Sequence, residues 1–193
     1  MEKVPDRELI LQLQAGSLEA LGVLYDRHQR MVYRTALAIA GDAEAAADLL
    51  QDVFLRLHRF VDKVDPSRPL EPWLYRMTTN LTYDWVKQRN RWPKPLEDLA
   101  DWIAGSSKNS PYETVERKDE WEQVRKAIAA LPLIQRVVIV LYYLNDLSVQ
   151  EISDILTLPV GTVKSRLYYG RLALKRSLGL HQELLPDFNY EQT

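Results

Sequence analysis

The chain has 193 residues, enough for one ordinary domain or two small ones, and its 46% hydrophobic and 27% charged residues are typical of a folded protein. Its formal net charge of −2 means that binding to a polyanion would need locally clustered basic residues. The absence of cysteine excludes disulfides, thiolate zinc sites and a thiol nucleophile, and fits a reducing cytoplasm. The N-terminus lacks the basic start and apolar core of a signal peptide, and no apolar run approaches a membrane span. We therefore expect a cytoplasmic protein without membrane insertion.

The first half of the chain has helical periodicity from about Asp6 to Arg91. Ser17 is a good N-cap for a long helix, and Gly41-Asp42 predicts the end of that helix and the cap of the next. The segment "DPSRPLEP" then interrupts the pattern before "WLYRMTTNLTYDWVKQRNR". The first long helix should bury one stripe, formed by Leu21, Leu24, Tyr25, His28, Met31 and Val32.

The periodicity fades between Pro93 and Pro111, where prolines and the tract "GSSKNSP" indicate a linker. Helical patterns return at about 112–130, 133–144, 148–156 and 160–177, and alternating β-type runs are absent. The sequence therefore predicts an all-α protein of two small helical domains joined by a flexible linker. The expected boundaries are 1–92 for the first domain, 93–115 for the linker, 116–180 for the second domain and 181–193 for a frayed tail.

Two short helical patterns near the C-terminus are separated by a Leu-Pro step. Ser148 and Glu151 form the sequence signature of a capping box, and Pro159 biases Leu158 out of the helical region. Gly170 lies on the expected buried face of the second pattern and suggests close approach of another helix. The predicted buried faces comprise Val149, Ile152, Ile155 and Leu156 in the first pattern and Val163, Leu167, Gly170 and Leu174 in the second.

The exposed face of the second pattern is basic and aromatic, and includes Ser165, Tyr169 and Arg176 flanked by Lys164 and Arg166. Two short helices with a tight turn and a basic second helix describe a helix-turn-helix. Lys and Arg neutralise phosphates and bond guanine edges, and the amides at the start of this helix could receive a phosphate. From composition alone, a solvated face on an ordinary helical hairpin is an equal alternative.

The string "LSVQEISDILTLPVGTVKSRLYYGRLALKRSL" closely resembles the C-terminal DNA-binding region of the extracytoplasmic-function sigma factors of bacterial RNA polymerase. "AEAAADLLQDVFLRLHRF" resembles the family's helix that binds the polymerase clamp, and "PWLYRMTTNLTYDWVKQRNR" the helix that melts and reads the promoter −10 element. "LPLIQRVVIVLYYLNDLSVQEIS" resembles the start of the second DNA-binding domain. These segments follow the family's order and spacing.

The resemblance implies a region 2-like helical bundle and a region 4-like helix-turn-helix, with no catalysis, cofactor or metal. The implied partners are core RNA polymerase, promoter DNA at its −10 and −35 elements, and an anti-sigma factor. The residues implied to contact polymerase are Asp48, Leu50, Gln51, Asp52 and Phe54, of which Leu50 and Phe54 would be apolar anchors. Those implied at the −10 element are Lys63, Ser67, Arg68, Trp73, Arg76, Asn80, Lys87, Arg89 and Arg91, which combine aromatic, amide and basic groups suited to a single strand. Those implied at the −35 element are Gly161, Thr162, Lys164, Ser165, Arg166, Tyr169 and Arg171.

Two positions depart from the family pattern. Thr157 stands in the turn where the family usually has Gly, so we expect a backbone strained by about 1 kcal/mol or more, or a turn built differently. Tyr169 stands where an exposed Arg is usual, and it cannot make the bidentate pair of Arg with guanine. We therefore expect a −35 preference that differs from the family's common motif.

The two alternative functions are an enzyme and a transcriptional regulator. An enzyme is disfavoured because the three histidines are scattered and no nucleophile–base pair, P-loop or HExxH motif is present; His28 is expected to be a core residue. A helix-turn-helix transcriptional regulator, with an N-terminal helical effector or dimerisation domain, needs only the C-terminal motif. Binding to core polymerase discriminates this alternative from a sigma factor.

Overall fold

The computed structural model describes residues 4–89 and 123–179. The predicted linker at 93–115, the tail at 181–193 and Arg91 lie outside these residues. The described residues are helical and contain no strand, as predicted. The helices are α1 (Asp6–Gln14), α2 (Leu18–Ala40), α3 (Ala43–Phe60), α4 (Glu71–Arg89), α5 (123–130), α6 (Leu133–Ile139), α7 (Val149–Leu156) and α8 (Val160–Ser177).

The boundaries of α2 and α3 follow from local capping chemistry. The Ser17 side chain accepts a hydrogen bond from the Ala20 amide, and Asp42 accepts one from the Ala45 amide. Between the two helices, Gly41 adopts a left-handed conformation (φ 70°, ψ 20°), which glycine takes without a steric cost. The predicted stop and restart at Gly41-Asp42 is confirmed.

Helices α1 to α4 pack around two apolar clusters formed entirely by residues of the first half. Leu24, Val53, Leu57 and Leu74 are fully buried at the centre of the larger cluster. The predicted stripe of α2 lies inward, with Leu24, His28 and Val32 buried and its other members half-buried. This half of the protein therefore has a hydrophobic core of its own.

The second half of the described chain is built on α6, which continues through a π-helical turn at Val140–Leu144. Helices α7 and α8 pack against α6, and Val138, Leu141, Ile152, Val163 and Leu167 fill the space between them. The same cluster also contains two buried side chains of the first half, Ile39 from the end of α2 and Tyr75 from α4. The two halves are thus joined by a shared apolar cluster.

Candidate nucleic-acid and polymerase interfaces

The turn between α7 and α8 has the tight geometry of a helix-turn-helix. Helix α7 begins with the predicted capping box, in which the Ser148 hydroxyl accepts from the Glu151 amide while the Glu151 carboxylate accepts from the Ser148 amide at 2.8 Å. It ends at Thr157, whose left-handed backbone (φ 54°, ψ 48°) is one that a β-branched residue rarely adopts. The Leu158 amide donates to the Ser153 carbonyl at 3.0 Å, which closes the turn. The expectation of a strained Thr157 is confirmed.

Helix α8 lies against α6 through its predicted buried face. Val163, Leu167 and Gly170 are buried, and a β-carbon on Gly170 would lie 2.8 Å from Ile139 Cγ1. Only glycine therefore allows α8 to approach α6 this closely, as the sequence suggested. This packing turns the opposite face of α8 towards solvent.

The exposed face of α8 carries Lys164, Tyr168, Tyr169 and Arg176. Tyr168 and Tyr169 are 51% and 57% exposed, and their rings meet edge to face with centroids 5.4 Å apart. Tyr169 was expected on this face, and Tyr168 was not. The signal was present, because Tyr168 lies one turn after Lys164 and next to Tyr169, on the side away from the buried face.

Four other expected −35 residues lie at the start of α8 or at the edge of its exposed face. Ser165 and Arg166 are half-buried at the edge of the exposed face, and the Ser165 hydroxyl donates to the Thr162 carbonyl at 3.0 Å. The Thr162 amide, expected to be offered to a phosphate, instead donates to the Pro159 carbonyl at 2.8 Å. Gly161 is exposed, and a β-carbon there would meet nothing within 4 Å, so internal packing does not require a glycine at this position.

Arg171, also expected at the −35 element, is half-buried and lies two turns after Lys164, at the edge of the exposed face. Its guanidinium lies over two aromatic rings, 5.2 Å from the Tyr142 centroid and 5.4 Å from the Tyr143 centroid. A cation over aromatic faces is stabilised by the ring quadrupole. Arg171 therefore helps to fix α8 against the end of α6.

The loop between α3 and α4 carries the exposed residues Lys63, Ser67 and Arg68. Asp65 organises the loop, because it accepts hydrogen bonds from the Ser67 hydroxyl at 2.6 Å and from the Ser67 amide at 2.9 Å, and lies 3.3 Å from Arg68 Nε. These hydrogen bonds, with a smaller effect of Arg68, hold the pKa of Asp65 below its ordinary value. The Lys63 ammonium lies 5.4 Å from the Phe60 ring centroid. The three expected residues therefore share one exposed loop.

Helix α4 presents Arg76, Asn80 and Lys87 to the surface. Trp73 is half-buried and packs against the larger cluster of the first half. The three threonines Thr78, Thr79 and Thr82 are buried, and each hydroxyl donates to a backbone carbonyl four residues earlier. Arg89 is the last residue of α4, and its side chain lies outside the described part of the structure.

On α3, Asp48, Gln51 and Asp52 are exposed, as a polymerase contact requires. Leu50 and Phe54 are 8% and 4% exposed and belong to the larger cluster, so the expectation that they are surface anchors is wrong. Phe54 packs edge to face against Tyr25, with the ring centroids 4.9 Å apart. The exposed apolar side chain in this part of α3 is Leu55, at 64%, which was not among the expected contacts.

His28 is a buried structural residue, as expected. Its Nε2 lies 2.6 Å from an Asp6 carboxylate oxygen, and Arg27 pairs with the other oxygen. Within 4–89 and 123–179, Asp6, His28 and Glu71 are the one group of three that could reach a metal ion. Because Asp6 of α1 binds both His28 and Arg27 of α2, this group attaches α1 to α2 and needs no metal ion to explain it.

Comparison with known proteins decides the family. Residues 24–92 match the model of sigma-70 region 2, and residues 121–174 match that of sigma-70 region 4. The ECF RNA polymerase sigma factor SigW of Bacillus subtilis is 32% identical over 182 residues, covering 89% of this chain and 96% of the relative. The chain belongs to the extracytoplasmic-function sigma factors. The sequence-based identification is therefore confirmed, and the protein is a transcription initiation factor of bacterial RNA polymerase.

Further relatives agree. The sigma factor SigM of Mycobacterium tuberculosis is 30% identical, with 90% of this chain and 85% of the relative covered. Among solved structures, CnrH in complex with the cytosolic domain of CnrY has a TM-score of 0.64 at 23% identity and covers 92% of this chain and 99% of its own. RpoE of Bartonella quintana, in complex with the anti-sigma factor NepR, has a TM-score of 0.61 at 21% identity and covers 80% and 93%. These two structures share the sigma factor's fold. In the described residues no helix is long and apolar enough to cross a membrane.

Proposed function

We propose that the exposed polar side of α3 is the polymerase contact of this sigma factor. The acidic and amide groups there belong to Asp48, Gln51 and Asp52. Such groups fix the register of a complex and raise its association rate more than they raise its affinity. Leu55 replaces Leu50 and Phe54 as the apolar contact, because it is the accessible one. The charge-reversal variant Asp52→Lys should weaken binding to core polymerase, whereas Glu44→Lys, at an exposed acid one turn before Asp48, is its matched control.

We propose that α4 and the preceding loop hold the melted −10 strand. Arg76, Lys87 and the loop residues Lys63 and Arg68 would neutralise phosphates, and the Asn80 amide can pair with a base edge as donor and acceptor. Ser67 would contribute through its loop, since its hydroxyl already donates to Asp65. Arg89 and Arg91 remain proposed −10 contacts on the family resemblance, and half-buried Trp73 would support the surface from beneath rather than stack on a base.

We propose that α8 reads the −35 element with Lys164, Tyr168 and Tyr169, flanked by Ser165 and Arg166. The observation that carries this assignment is the pair of exposed tyrosine rings beside Lys164 on a helix whose other face is buried. Gly161 would let a phosphate approach the start of the helix. Arg171 is left out of the interface because it packs on Tyr142 and Tyr143.

The sigma factor would act by recruitment, without catalysing a reaction. The first domain would dock on polymerase and open the −10 element, and the second would hold the −35 element. Because the two domains are tethered, binding of one would raise the effective concentration of the other near its own element. An anti-sigma factor that covers these surfaces is a further proposed partner, since RpoE of Bartonella quintana, which has the same fold, was solved in complex with the anti-sigma factor NepR. The work of polymerase and promoter DNA would place the protein in the cytoplasm.

Transcription in vitro tests the proposal directly. Core polymerase with this protein should initiate on a subset of genomic fragments, and mapping of the start sites should reveal a shared −10 and −35 element. The double variant Lys164→Ala/Tyr169→Ala should lose initiation from these promoters while retaining core binding. A protein that binds promoter fragments without core polymerase and does not initiate with it would be the transcriptional regulator of the alternative hypothesis.

Tyr169 predicts the specificity. A −35 sequence selected from a random pool by polymerase carrying the wild-type protein should lack the guanine that a bidentate Arg would read. Tyr169→Arg should introduce a preference for guanine of roughly 1–3 kcal/mol at one base pair. Selection of the family's ordinary −35 motif by the wild-type protein would contradict the assignment of Tyr169 as a base-reading residue.

A further inference from the structure

The end of α3, just before the loop to α4, carries an aromatic ring beside two cations. The Arg59 guanidinium lies 5.5 Å from the centroid of the Phe60 ring, and the Lys63 ammonium lies 5.4 Å from the same centroid. Both basic side chains are exposed, and Phe60 is half-buried. Because the quadrupole of an aromatic ring attracts cations, these three side chains form one group, called here the Phe60 platform.

The Phe60 ring does not take part in the hydrophobic core. Of the three apolar clusters formed by the described residues, none includes Phe60, either among its buried members or among the half-buried side chains that pack on it. Its neighbours Leu57, Val61 and Val64 are all buried in the larger cluster. Core packing therefore explains these neighbours but does not explain the aromatic ring between them.

The turn that follows Phe60 is fixed from beneath. It is a 3-10 turn over Val61–Lys63, in which side chains three positions apart are eclipsed, and this brings Lys63 over Phe60. The Gln14 amide of α1 donates to the Val61 carbonyl at 2.9 Å and to the Val64 carbonyl at 3.0 Å. Since this backbone is already ordered, a ligand that binds the ring does not have to order it, and less conformational entropy is lost on binding.

The charge around the Phe60 platform favours an anionic ligand. All acidic residues of α3 precede its two arginines, Arg56 and Arg59. The stretch from Arg56 to Arg68 has four lysines and arginines against two acids, one of which, Asp65, already pairs with Arg68. The helix dipole favours cations at the end of α3, but it does not call for an aromatic ring there. A ring beside exposed cations suits an unpaired nucleotide, because the base can stack on the ring while the cations neutralise its phosphates.

We propose that the Phe60 platform is a stacking site for one unpaired nucleotide of the melted promoter strand. The Phe60 ring stacks on the base, and Arg59 and Lys63 hold the adjoining phosphates. Because Lys63 also belongs to the loop assigned to the −10 strand, this nucleotide is a neighbour of the one that the loop holds. Stacking tolerates every base, so the platform holds the open strand without adding a sequence preference. The inference rests on the proposed function only for the source of the nucleotide.

The test compares two single-stranded probes that differ only in their bases. One is a dye-labelled dodecamer of thymidine, and the other is the same sugar-phosphate backbone without bases; fluorescence anisotropy at low salt measures the affinity of the free full-length protein for each. Because the probes carry equal charge, the ratio of their dissociation constants reports base stacking. Phe60→Leu removes the ring, and Phe60→Trp keeps an aromatic surface. Tyr143→Leu is the matched control, because Tyr143 is a 43% exposed ring whose centroid also lies 5.4 Å from a cation, that of Arg171.

The wild-type protein, Phe60→Trp and Tyr143→Leu should bind the thymidine probe roughly tenfold more tightly than the base-free probe. Phe60→Leu should lose most of this preference while its affinity for the base-free probe stays unchanged. Arg59→Ala should weaken binding to both probes, because it removes a charge that either backbone meets. Circular dichroism should confirm that Phe60→Leu remains folded, and Phe60→Met serves if it does not.

Three results would overturn the stacking site. They are a wild-type protein without a preference for the thymidine probe, an unchanged preference in both Phe60→Leu and Phe60→Met, and an equal loss of preference in Tyr143→Leu. None of these measurements uses polymerase, so failure of the stacking site is distinguishable from failure of the proposed function. If the preference depends on Phe60 but the protein does not initiate with polymerase, the proposed function fails and the stacking site remains.

Discussion

The two halves of this sigma factor differ in how they obtain a hydrophobic core. The apolar clusters of α1 to α4 are made only of first-half residues, whereas the cluster under α7 and α8 includes Ile39 and Tyr75 from the first half. Ile39 is fully buried and Tyr75 is 8% exposed. The first half is therefore self-sufficient, while the helix-turn-helix depends on its neighbour for part of its stability. A change at the contact should affect the second half more.

The largest expected effect comes from separating the halves. Residues 1–92 alone should remain a cooperatively folded bundle. Residues 116–180 alone should lose about 3 kcal/mol of stability relative to the same segment in the full chain, since burial of one or two large side chains is worth this much. Urea unfolding followed by circular dichroism measures both quantities.

The pKa of Tyr75 reports the separation of the two halves independently of their stability. Its pKa should be about 12 in the full chain and should fall towards the ordinary value of 10 in 1–92, where the second half no longer buries it. Comparison of alkaline absorbance titrations with and without Tyr75→Phe isolates this one tyrosine. If the isolated second half is as stable as it is in the full chain, or if the pKa of Tyr75 is unchanged in 1–92, the second half does not depend on the first for its stability.

A second effect belongs to the second half alone. Gly170→Leu would place side-chain atoms inside Ile139, whose Cγ1 would lie 2.8 Å from the new β-carbon, and should cost about 1–3 kcal/mol. It should also tilt α8 and reduce initiation from −35-dependent promoters. Gly161→Ala on the same helix is the matched control, because its β-carbon meets nothing and helix propensity favours alanine. Equal unfolding midpoints for the two variants would show that α8 does not require this close approach.

These contrasts also show what a sequence can predict here. Capping and helix-stop signals are local, so Ser17, Asp42 and the Ser148–Glu151 box were all predicted and are confirmed. Whether a side chain is buried depends on the neighbouring helices, which is why Leu50 and Phe54 were expected at the surface although both are buried. Periodicity can place such a residue wrongly by one helical position. Because neighbouring positions point about 100° apart, an error of one position moves the side chain to a different face of the helix.

The contact between the halves was not predictable from any local signal. Arg76 and Arg136 read as ordinary basic residues of amphipathic helices, and their acceptors are backbone carbonyls more than 70 positions away, which have no side-chain signature. The family resemblance reveals what each domain binds but says nothing about carbonyl acceptors. Only the three-dimensional arrangement shows that both arginines cap helices of the opposite half.

A third, smaller effect uses one backbone conformation that occurs in both halves. Gly41 and Thr157 are both left-handed, with φ of 70° and 54°, but only the glycine is unstrained there. Thr157→Gly should therefore stabilise the protein by about 1 kcal/mol, and Gly41→Ala should destabilise it by a similar amount. Thermal unfolding monitored at 222 nm measures both. A destabilising Thr157→Gly would mean that the threonine side chain has a compensating role.

The smallest effect distinguishes two helix caps by their pH dependence. Ser148→Ala and Ser17→Ala should each cost about 1 kcal/mol at pH 7, because each serine caps a helix. Only Ser148 also bonds a carboxylate: its hydroxyl and amide hold the pKa of Glu151 below the ordinary 4.5. A carboxyl group whose pKa is lowered in the folded state stabilises the protein at neutral pH, and this stabilisation is lost as the pH falls through that pKa. The loss of unfolding free energy caused by Ser148→Ala should therefore become smaller below about pH 4.

The cost of Ser17→Ala should stay constant over the same range, since the residue three positions on is Ala20, which does not titrate. Glu151→Gln keeps a side chain that can accept from the Ser148 amide, and it should remove the pH dependence while retaining most of the cap. Urea midpoints at pH 7 and pH 3.5 for the three variants measure the difference. If Ser17→Ala and Ser148→Ala respond alike to acid, the carboxylate of Glu151 contributes nothing to α7, and the start of the helix-turn-helix rests on the serine hydroxyl alone.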